Sequence, residues 1–193
     1  MARYDSEHKT RTRRRIIDTA GRRFKQDGID GSGVAALMAD AGLTNGAFYA
    51  HFESKDDLVG TVIGDQLAAQ RAVLAALPEG GAAVEEFVRQ YLSPQHRDDP
   101  ATGCPNAALL EEIGRCGDTV RESYTTGMQS IVDVMAAHLS PGDPTAARTK
   151  ALGLLTILVA TMQLARAVSD RKLSDELLES GVHNAIVLLR SEP

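Results

Sequence analysis

The tripeptide Gly103-Cys104-Pro105 places a thiol where it could do chemistry. Proline is favoured at the first position of a helix, so this spacing predicts that Cys104 is the N-cap residue of a helix. The partial positive charge at a helix N-terminus favours the thiolate, the form that reacts with oxidants and electrophiles. A reactive thiol is one interpretation, and a buried, inert cysteine is the other. Whether Cys104 pairs with Cys116 cannot be judged from their spacing.

The other residue types that catalyse reactions do not form a recognisable set. The five histidines are scattered along the chain, neither cysteine belongs to a CxxC motif, and no Gly-rich phosphate loop precedes a helix. Acidic neighbours such as Glu85 and Glu86 point to different faces of a helix. We therefore predict that the protein is not an enzyme and that it holds no metal and no cofactor. A thiol-dependent activity at Cys104 is the one catalytic alternative.

Charge is distributed unevenly along this chain, whose formal net charge is −5. Residues 1–26 carry nine Lys and Arg against three Asp and Glu, whereas residues 61–193 carry 11 basic and 17 acidic side chains. This polarity suits a protein that contacts a polyanion with its N-terminal end, and a solvated basic tail is the alternative. The basic N-terminus lacks a secretory signal, and the longest charge-free apolar run, residues 151–165, is short for a membrane span. We expect a cytoplasmic protein with no membrane partner.

Helical periodicity dominates the sequence and predicts an all-α fold of about nine helices. Hydrophobic residues make up 43% of the chain and aromatic residues only 4%, a balance that favours helices over strands. Ile16, Ile17, Ala20 and Phe24 mark the buried face of a first helix. The later helices are expected at about 34–41, 45–51, 55–76, 82–92, 104–115, 119–139, 146–170 and 174–190, with a polar loop over 93–103.

Residues 34–52 predict a helix-turn-helix. Ser32 is placed as the N-cap of a short amphipathic helix, Gly42 ends it, and Thr44 caps a second short helix. Ser54 then caps a longer one. This arrangement holds the polar N-terminal face of the second helix out where it can enter the major groove of DNA.

An extended set of residues from Ile16 to about Leu58 resembles the TetR family of bacterial regulators. The resemblance implies a three-helix DNA-binding domain over 1–56 and a helical sensing and dimerisation domain over 57–193. It also implies a homodimer that binds a palindromic operator in double-stranded DNA and is released by a small apolar or electrophilic effector. The residues that carry the resemblance are Phe24, Gly28, Ala41-Gly42-Leu43-Thr44, Gly46, Phe48-Tyr49, His51-Phe52, Ser54-Lys55 and Leu58.

The same resemblance assigns roles at the DNA interface. Asn45 is the candidate reader of a base edge, because an amide can pair with adenine through two hydrogen bonds. The candidate phosphate contacts are Ser32, Thr44, Tyr49, His51 and Lys55, and the small residues that would allow close approach to the groove are Gly46, Ala47 and Ala50. A core position for Tyr49 and solvated surface positions for His51 and Lys55 are the alternatives.

Two positions depart from the family pattern. Many family members have a basic residue where Ala35 stands, and a small residue where Met38 stands. The basic stretch Arg11 to Arg15 could compensate by reaching the DNA backbone or minor groove; a frayed, solvated arm is the alternative.

The last two helices are predicted to form the dimer interface. Residues 151–165 are apolar nearly all round, and Leu177, Leu178, Val182, Ile186 and Leu189 mark a stripe on the final helix. Packing of both helices inside one chain is the alternative. The resemblance also implies an effector pocket among the middle helices, with plain core packing as the alternative for each candidate residue. The candidate lining residues are Phe87, Tyr91, Cys104, Leu109, Tyr124, Met128, Thr161, Met162 and Gln163.

Overall fold

The computed structural model describes residues 2–78 and 80–191, and confirms the predicted all-α class with an N-terminal helix-turn-helix. These residues form nine α-helices and one 3₁₀ helix and contain no strand. The helices are α1 (Ala2–Asp27), α2 (Val34–Asp40), the 3₁₀ helix (Asn45–Ala50), α3 (Lys55–Ala75), α4 (Gly81–Tyr91), α5 (Pro94–Asp98), α6 (Pro105–Arg115), α7 (Asp118–Leu139), α8 (Pro144–Ala167) and α9 (Arg171–Arg190).

The N-terminal head consists of α1, α2 and the 3₁₀ helix, packed together around one buried face of α1. Ile16, Ile17, Ala20 and Phe24 are all buried, as their helical spacing predicts. Helix α3 contacts α1 at the head and runs on to pack along α7. The division of the chain at residue 56 therefore falls inside the first turn of the helix that joins head and body.

The long helices of the body pack closely against one another at two glycine residues. A Cβ atom at Gly127 of α7 would lie 2.5 Å from the Cδ1 atom of Leu67 on α3, and one at Gly181 of α9 would lie 2.4 Å from the Cγ2 atom of Thr161 on α8. Since real Cβ contacts are longer than this, both glycines are needed for the observed approach of the helices. The series α3, α7, α8 and α9 forms the main core.

Two helix starts differ from the sequence prediction. The loop predicted over 93–103 contains α5, whose N-cap Ser93 accepts a hydrogen bond from the backbone N–H of His96 at 3.2 Å. The final helix begins three residues before the predicted cap Ser174, because Asp170 accepts from the backbone N–H groups of Lys172 and Leu173. The hydroxyl of Ser174 is buried and donates to the Ala165 carbonyl at 2.6 Å.

Arg97 of α5 holds this short helix against α9. Its side chain is 3% exposed and donates to the hydroxyl of Ser174 at 2.8 Å and to the carboxylate of Asp175 at 2.6 Å. Asp98 accepts from Arg97 at 2.9 Å and from Arg171. The buried guanidinium is thus fully engaged, which fixes the segment that leads into α6.

Helix α8 is the most apolar helix of the fold. It spans 24 residues, and an 18-residue window has a mean hydropathy of 1.3, so by length and composition alone it could cross a membrane. Its Leu154, Leu158 and Met162 side chains are buried, and the helix packs on α7 and α9. Helices in the core of a folded protein can be as long and as apolar as this one.

Candidate nucleic-acid interface and effector cavity

The turn of the helix-turn-helix depends on Gly42. Its φ angle of +63° lies in the left-handed region, which favours glycine over residues with a side chain. The Gly42 and Leu43 amides donate to the carbonyls of Ala39 and Met38 at 2.9 Å and 2.8 Å, which closes the end of α2. The prediction that Gly42 ends this helix is therefore confirmed. Met38 is fully buried beneath it.

The second helix of the motif is a 3₁₀ helix that presents polar and small residues to solvent. Thr44 occupies its N-cap position, but the hydroxyl makes no capping hydrogen bond and is free for another acceptor or donor. Asn45, Gly46 and Ala50 are exposed, and Ala47 is half-buried. The candidate base reader and the small residues beside it thus lie at the surface, as the DNA-binding prediction requires.

Two neighbouring aromatic residues point in opposite directions on this helix. Phe48 is 1% exposed and lies 5.7 Å from the buried Phe52 ring, whereas Tyr49 is 72% exposed. The Tyr49 ring meets Phe48 edge-on at 5.2 Å. The core alternative for Tyr49 is therefore wrong, and its hydroxyl is available to a partner outside the chain.

His51 lies directly after the 3₁₀ helix in a strongly positive environment. It is half-buried, and its Nδ1 atom has no hydrogen-bond partner among the described residues. Burial lowers its pKa below the usual value, and Lys9, Arg13 and His8 on α1 lower it further. The imidazole is consequently neutral at neutral pH, next to cations that would attract a phosphate.

Lys55 is the first residue of α3, in a turn that is firmly capped. The Ser54 side chain accepts from the Asp57 amide at 3.0 Å, and Asp57 accepts in return from the Glu53 amide at 3.0 Å, so the predicted cap is confirmed. This reciprocal pair fixes the N-terminus of α3 next to the 3₁₀ helix. The ammonium of the half-buried Lys55 then lies at the same end of the molecule.

The structure contradicts both roles predicted for Ser32. Gly33, not Ser32, occupies the N-cap position of α2 and makes no side-chain cap. The Ser32 side chain is fully buried, and its hydroxyl donates to the Gly28 carbonyl at 2.7 Å. A buried hydroxyl satisfied inside the chain is not available to a DNA phosphate.

The basic stretch predicted as an arm is part of α1. The guanidinium of Arg13 lies 4.8 Å from the Phe52 ring centroid and donates to the Thr61 hydroxyl at 3.4 Å. Arg14 forms ion pairs with Asp18 and Asp65, both at 2.6 Å. These two arginines therefore brace α1 against the start of the body.

A cavity of about 410 Å³ opens where α1, α3, α4 and α6 meet. Three predicted effector residues, Phe87, Tyr91 and Cys104, line it. The sequence did not indicate its other lining residues, because they come from separate helices, one of them the α1 helix of the head. These residues are Lys25, Gln66, Ala69, Gln70, Val73, Gln90, His96, Thr102, Gly103 and Pro105.

The remaining predicted pocket residues do not line this cavity. Tyr124, Met128 and Gln163 line a second cavity of about 230 Å³ beside α8, where burial raises the pKa of Tyr124 to about 12. Leu109 and Met162 are buried core residues that line neither cavity. Thr161 packs on Gly181 of α9. The candidate residues therefore do not share one cavity in this structure, and the effector site stays a prediction.

The N-terminus of α6 forms one wall of the 410 Å³ cavity. Cys104 is the N-cap residue and Pro105 is the first helical residue, as their spacing predicts. The His96 ring accepts from the Cys104 amide through Nε2 at 3.1 Å and contacts the Tyr91 carbonyl through Nδ1 at 2.7 Å. The Cys104 thiol is 8% exposed and donates to the Gln70 side chain at 3.3 Å.

Comparison with known proteins finds the same motif. The model of the family described as bacterial regulatory proteins, tetR family, matches residues 16–62. The HTH-type transcriptional regulator AcrR of Shigella flexneri is 37% identical over 62 residues, which are 32% of this chain and 29% of that protein. The HTH-type transcriptional repressor NemR of Escherichia coli K12 is 22% identical over 136 residues, 68% of each chain.

Solved structures resemble the whole fold. The reduced form of E. coli NemR superposes with a TM-score of 0.77 at 20% identity, covering 90% of this chain and 94% of that one. FadR of Bacillus subtilis, in complex with stearoyl-CoA, has a TM-score of 0.63 at 15% identity and covers 87% and 96%. The family model thus matches the head and the start of α3, and the solved structures share the fold of head and body together.

Proposed function

We propose that this chain, whose residues 16–62 match the family of bacterial regulatory proteins described as tetR, is a cytoplasmic transcriptional repressor of that family that binds a palindromic operator as a homodimer. The sequence match covers less than a third of AcrR, so the function proposed for the whole chain rests on the site as well. The observation that carries it is the exposed polar surface of the 3₁₀ helix, the proposed recognition helix. The buried side chains of Phe48 and Phe52 hold this helix against the head. A helix held in this way can enter the major groove.

The DNA contacts divide into two kinds. Thr44, Tyr49, His51 and Lys55 are assigned to phosphates, because their hydroxyl, imidazole and ammonium groups lie around the ends of one short helix. Asn45 is assigned to a base edge. The N-terminal domain is assigned to residues 1–56 and the sensing and dimerisation domain to residues 57–193.

We expect Asn45→Ala to weaken operator binding by about 1–3 kcal/mol at one base position of each half-site. The side chain is exposed and does not support the fold, so the loss comes from the missing amide contacts. The measurement is fluorescence anisotropy with the operator, identified by genomic footprinting, and with single-base variants of it. Lys55→Ala is the matched control and should lose affinity for every sequence alike, with a shallower salt dependence. An equal loss at all sequences for Asn45→Ala would contradict its role as a reader.

The effector would act by binding more tightly to one arrangement of the two heads of the dimer than to another. A ligand can only shift such an equilibrium by its difference in affinity for the two states. The 410 Å³ cavity is the proposed effector site, because it is lined both by Lys25 of the head and by residues of the body. The complex of FadR with stearoyl-CoA supports ligand binding by a protein of this fold.

A thiol-based redox or electrophile sensor acting through Cys104 is a second candidate function. It is favoured by the position of Cys104, at the N-cap of α6 and in the wall of the cavity. The similar NemR structure is described as a reduced form, which supports redox chemistry in that protein. The low exposure of this thiol and its hydrogen bond to Gln70 oppose rapid reaction.

If Cys104 is the sensor, alkylation with iodoacetamide should lower operator affinity at least fivefold in the wild-type protein and in Cys116→Ser. In this reaction the thiolate sulfur displaces iodide and gains a carboxamidomethyl group, which enters the cavity that Cys104 lines. Cys104→Ser should keep its affinity after the same treatment. Intact-protein mass spectrometry counts the added groups. Equal losses in all three proteins would exclude Cys104.

A further inference from the structure

Lys25 is the only charged side chain among the described residues that line the 410 Å³ cavity. It lies near the end of α1, and its ammonium donates to the Gly103 carbonyl at 2.8 Å. The described residues place no carboxylate within 4.0 Å of it, since Asp99 accepts from Thr102 instead. A half-buried ammonium with no carboxylate in direct contact is costly, and burial lowers the pKa of Lys25, an effect that the more distant charge of Asp99 opposes only in part. The cavity therefore favours an anion.

The cavity wall also contains polar atoms that the protein itself leaves unsatisfied. Tyr91 is 7% exposed, and its hydroxyl has no hydrogen-bond partner among the described residues. The buried Oε1 atom of Gln66 likewise has none. Buried polar groups are nearly always hydrogen-bonded, so unsatisfied atoms in a cavity wall indicate a partner that comes from outside the chain. A tyrosine hydroxyl can donate to a carboxylate oxygen.

Helix α6 adds a third electropositive feature. Cys104 and Pro105 bring its N-terminus to the cavity wall, where the helix dipole favours negative charge. The Cys104 amide is already bound by His96. The contribution of α6 is therefore its dipole, and the specific contacts fall to Lys25 and Tyr91.

The rest of the wall is apolar and sets the size of the ligand. Phe87, Val73, Ala69 and Pro105 form this surface. A volume of about 410 Å³ lies at the lower end of the range for small-molecule sites and suits roughly ten to fifteen non-hydrogen atoms. Such a ligand combines a flat or short apolar body with one charged group.

From these contacts we propose that the effector is a monoanionic organic acid whose carboxylate binds Lys25 and Tyr91 while its apolar body contacts Phe87. This inference rests on the proposed function, since it names the ligand class of the proposed effector site. On binding, the Lys25 ammonium leaves the Gly103 carbonyl for the carboxylate. The hydrogen bond that ties α1 to the start of α6 is thereby lost.

A second link explains how this loss can move the head without detaching it. Glu112, two turns further along α6, accepts from the backbone N–H groups of Ile29 and Asp30 at 2.7 Å and 3.2 Å. These amides lie in the turn between α1 and α2. With the Lys25 link broken and the Glu112 link kept, α1 can tilt about the Glu112 contact, which changes the direction of the recognition helix.

The test compares acids with their neutral amides. We would titrate the full-length protein calorimetrically with 2-naphthoate, phenylacetate and octanoate, and with the corresponding three amides. In the wild-type protein we expect at least one acid to bind tenfold or more tightly than its amide. Lys25→Met should abolish this preference, and Tyr91→Phe should reduce it about threefold. Lys172→Met removes an exposed ammonium on α9 and is the matched control, which should keep the preference.

A second measurement places the ligand in the cavity. In a Cys116→Ser background, the preferred acid should slow carboxamidomethylation of Cys104, because both occupy the same space. The proposal is overturned if no acid is preferred over its amide, if Lys25→Met keeps the preference, or if Cys104 is not protected. Operator binding by the same ligand-free samples tests the proposed function separately. A protein that binds its operator and prefers no acid would refute the ligand class alone.

Discussion

Phe48→Ala is expected to destabilise the protein by about 3–5 kcal/mol, the usual cost of truncating a fully buried phenylalanine. The side chain is 1% exposed and packs on Phe52 beneath the recognition helix. A domain of this kind has about 5–15 kcal/mol of stability in total, so the variant would lose a large part of it. Because the truncation leaves a void under the 3₁₀ helix, the head should lose its order first and operator binding with it. Denaturation in urea, followed by circular dichroism, measures the loss.

Tyr49→Ala is the matched control for this prediction. The two residues are adjacent in the chain and similar in size, but Tyr49 is 72% exposed. Its removal should cost about 1 kcal/mol or less, chiefly from the edge-on contact with the Phe48 ring. Tyr49→Ala should nevertheless weaken binding to every DNA sequence, because its proposed contact is with phosphate. A Phe48 variant as stable as the Tyr49 variant would contradict the packing described for this helix.

The head could be predicted from the sequence because its signals are local. Gly42, Ser54 and the spacing of Ile16, Ile17, Ala20 and Phe24 each act within a few residues, and each was confirmed. Two caps were exceptions in the head: the Thr44 hydroxyl makes no capping hydrogen bond, and Ser32 does not occupy the N-cap position. Its hydroxyl competes for the Gly28 carbonyl four residues earlier, an alternative that serine side chains often have near helix ends.

The cavity could not be predicted in the same way. In the sequence, Lys25 looks like any other solvent-exposed cation of the basic helix α1. Only the tertiary fold brings it to the Gly103 carbonyl, 78 residues away in the chain. Thr161, Met162 and Gln163 are consecutive in the sequence, yet they face α9, the core and the second cavity respectively. Consecutive helical residues point in different directions, so one short apolar run cannot line one pocket.

The stripe predicted for the dimer interface borders a groove within its own chain, and its part in dimerisation stays a prediction. Leu178, Val182 and Ile186 line a groove between α9 and Leu92 at the end of α4. Helical spacing identifies a buried face but does not say whether the neighbour belongs to the same chain. The apolar residues that α8 and α9 leave exposed are Leu152, Leu164, Leu173 and Val187, at 47%, 55%, 43% and 56%.

This exposed surface leads to the second prediction, that Leu164→Glu converts the proposed homodimer to a monomer. On α8, Leu152, Thr156, Ala160 and Leu164 recur every four residues and are all exposed, which gives a continuous strip of small and apolar side chains. A carboxylate buried at the centre of an interface would have no counter-ion and would cost several kcal/mol in each chain. Multi-angle light scattering should then show the mass of one chain in place of two.

Operator affinity should fall at least a thousandfold with the loss of the dimer. A single head can contact only one half-site, and specific dimeric binding exceeds non-specific binding by about 10³–10⁷. Ala72→Glu is the matched control, because Ala72 is exposed on α3, outside the last two helices and outside both cavities. It should leave both the mass and the operator affinity unchanged. A Leu164→Glu protein that remains dimeric would move the interface away from this strip, and a monomer that keeps full affinity would contradict two-headed recognition of the operator.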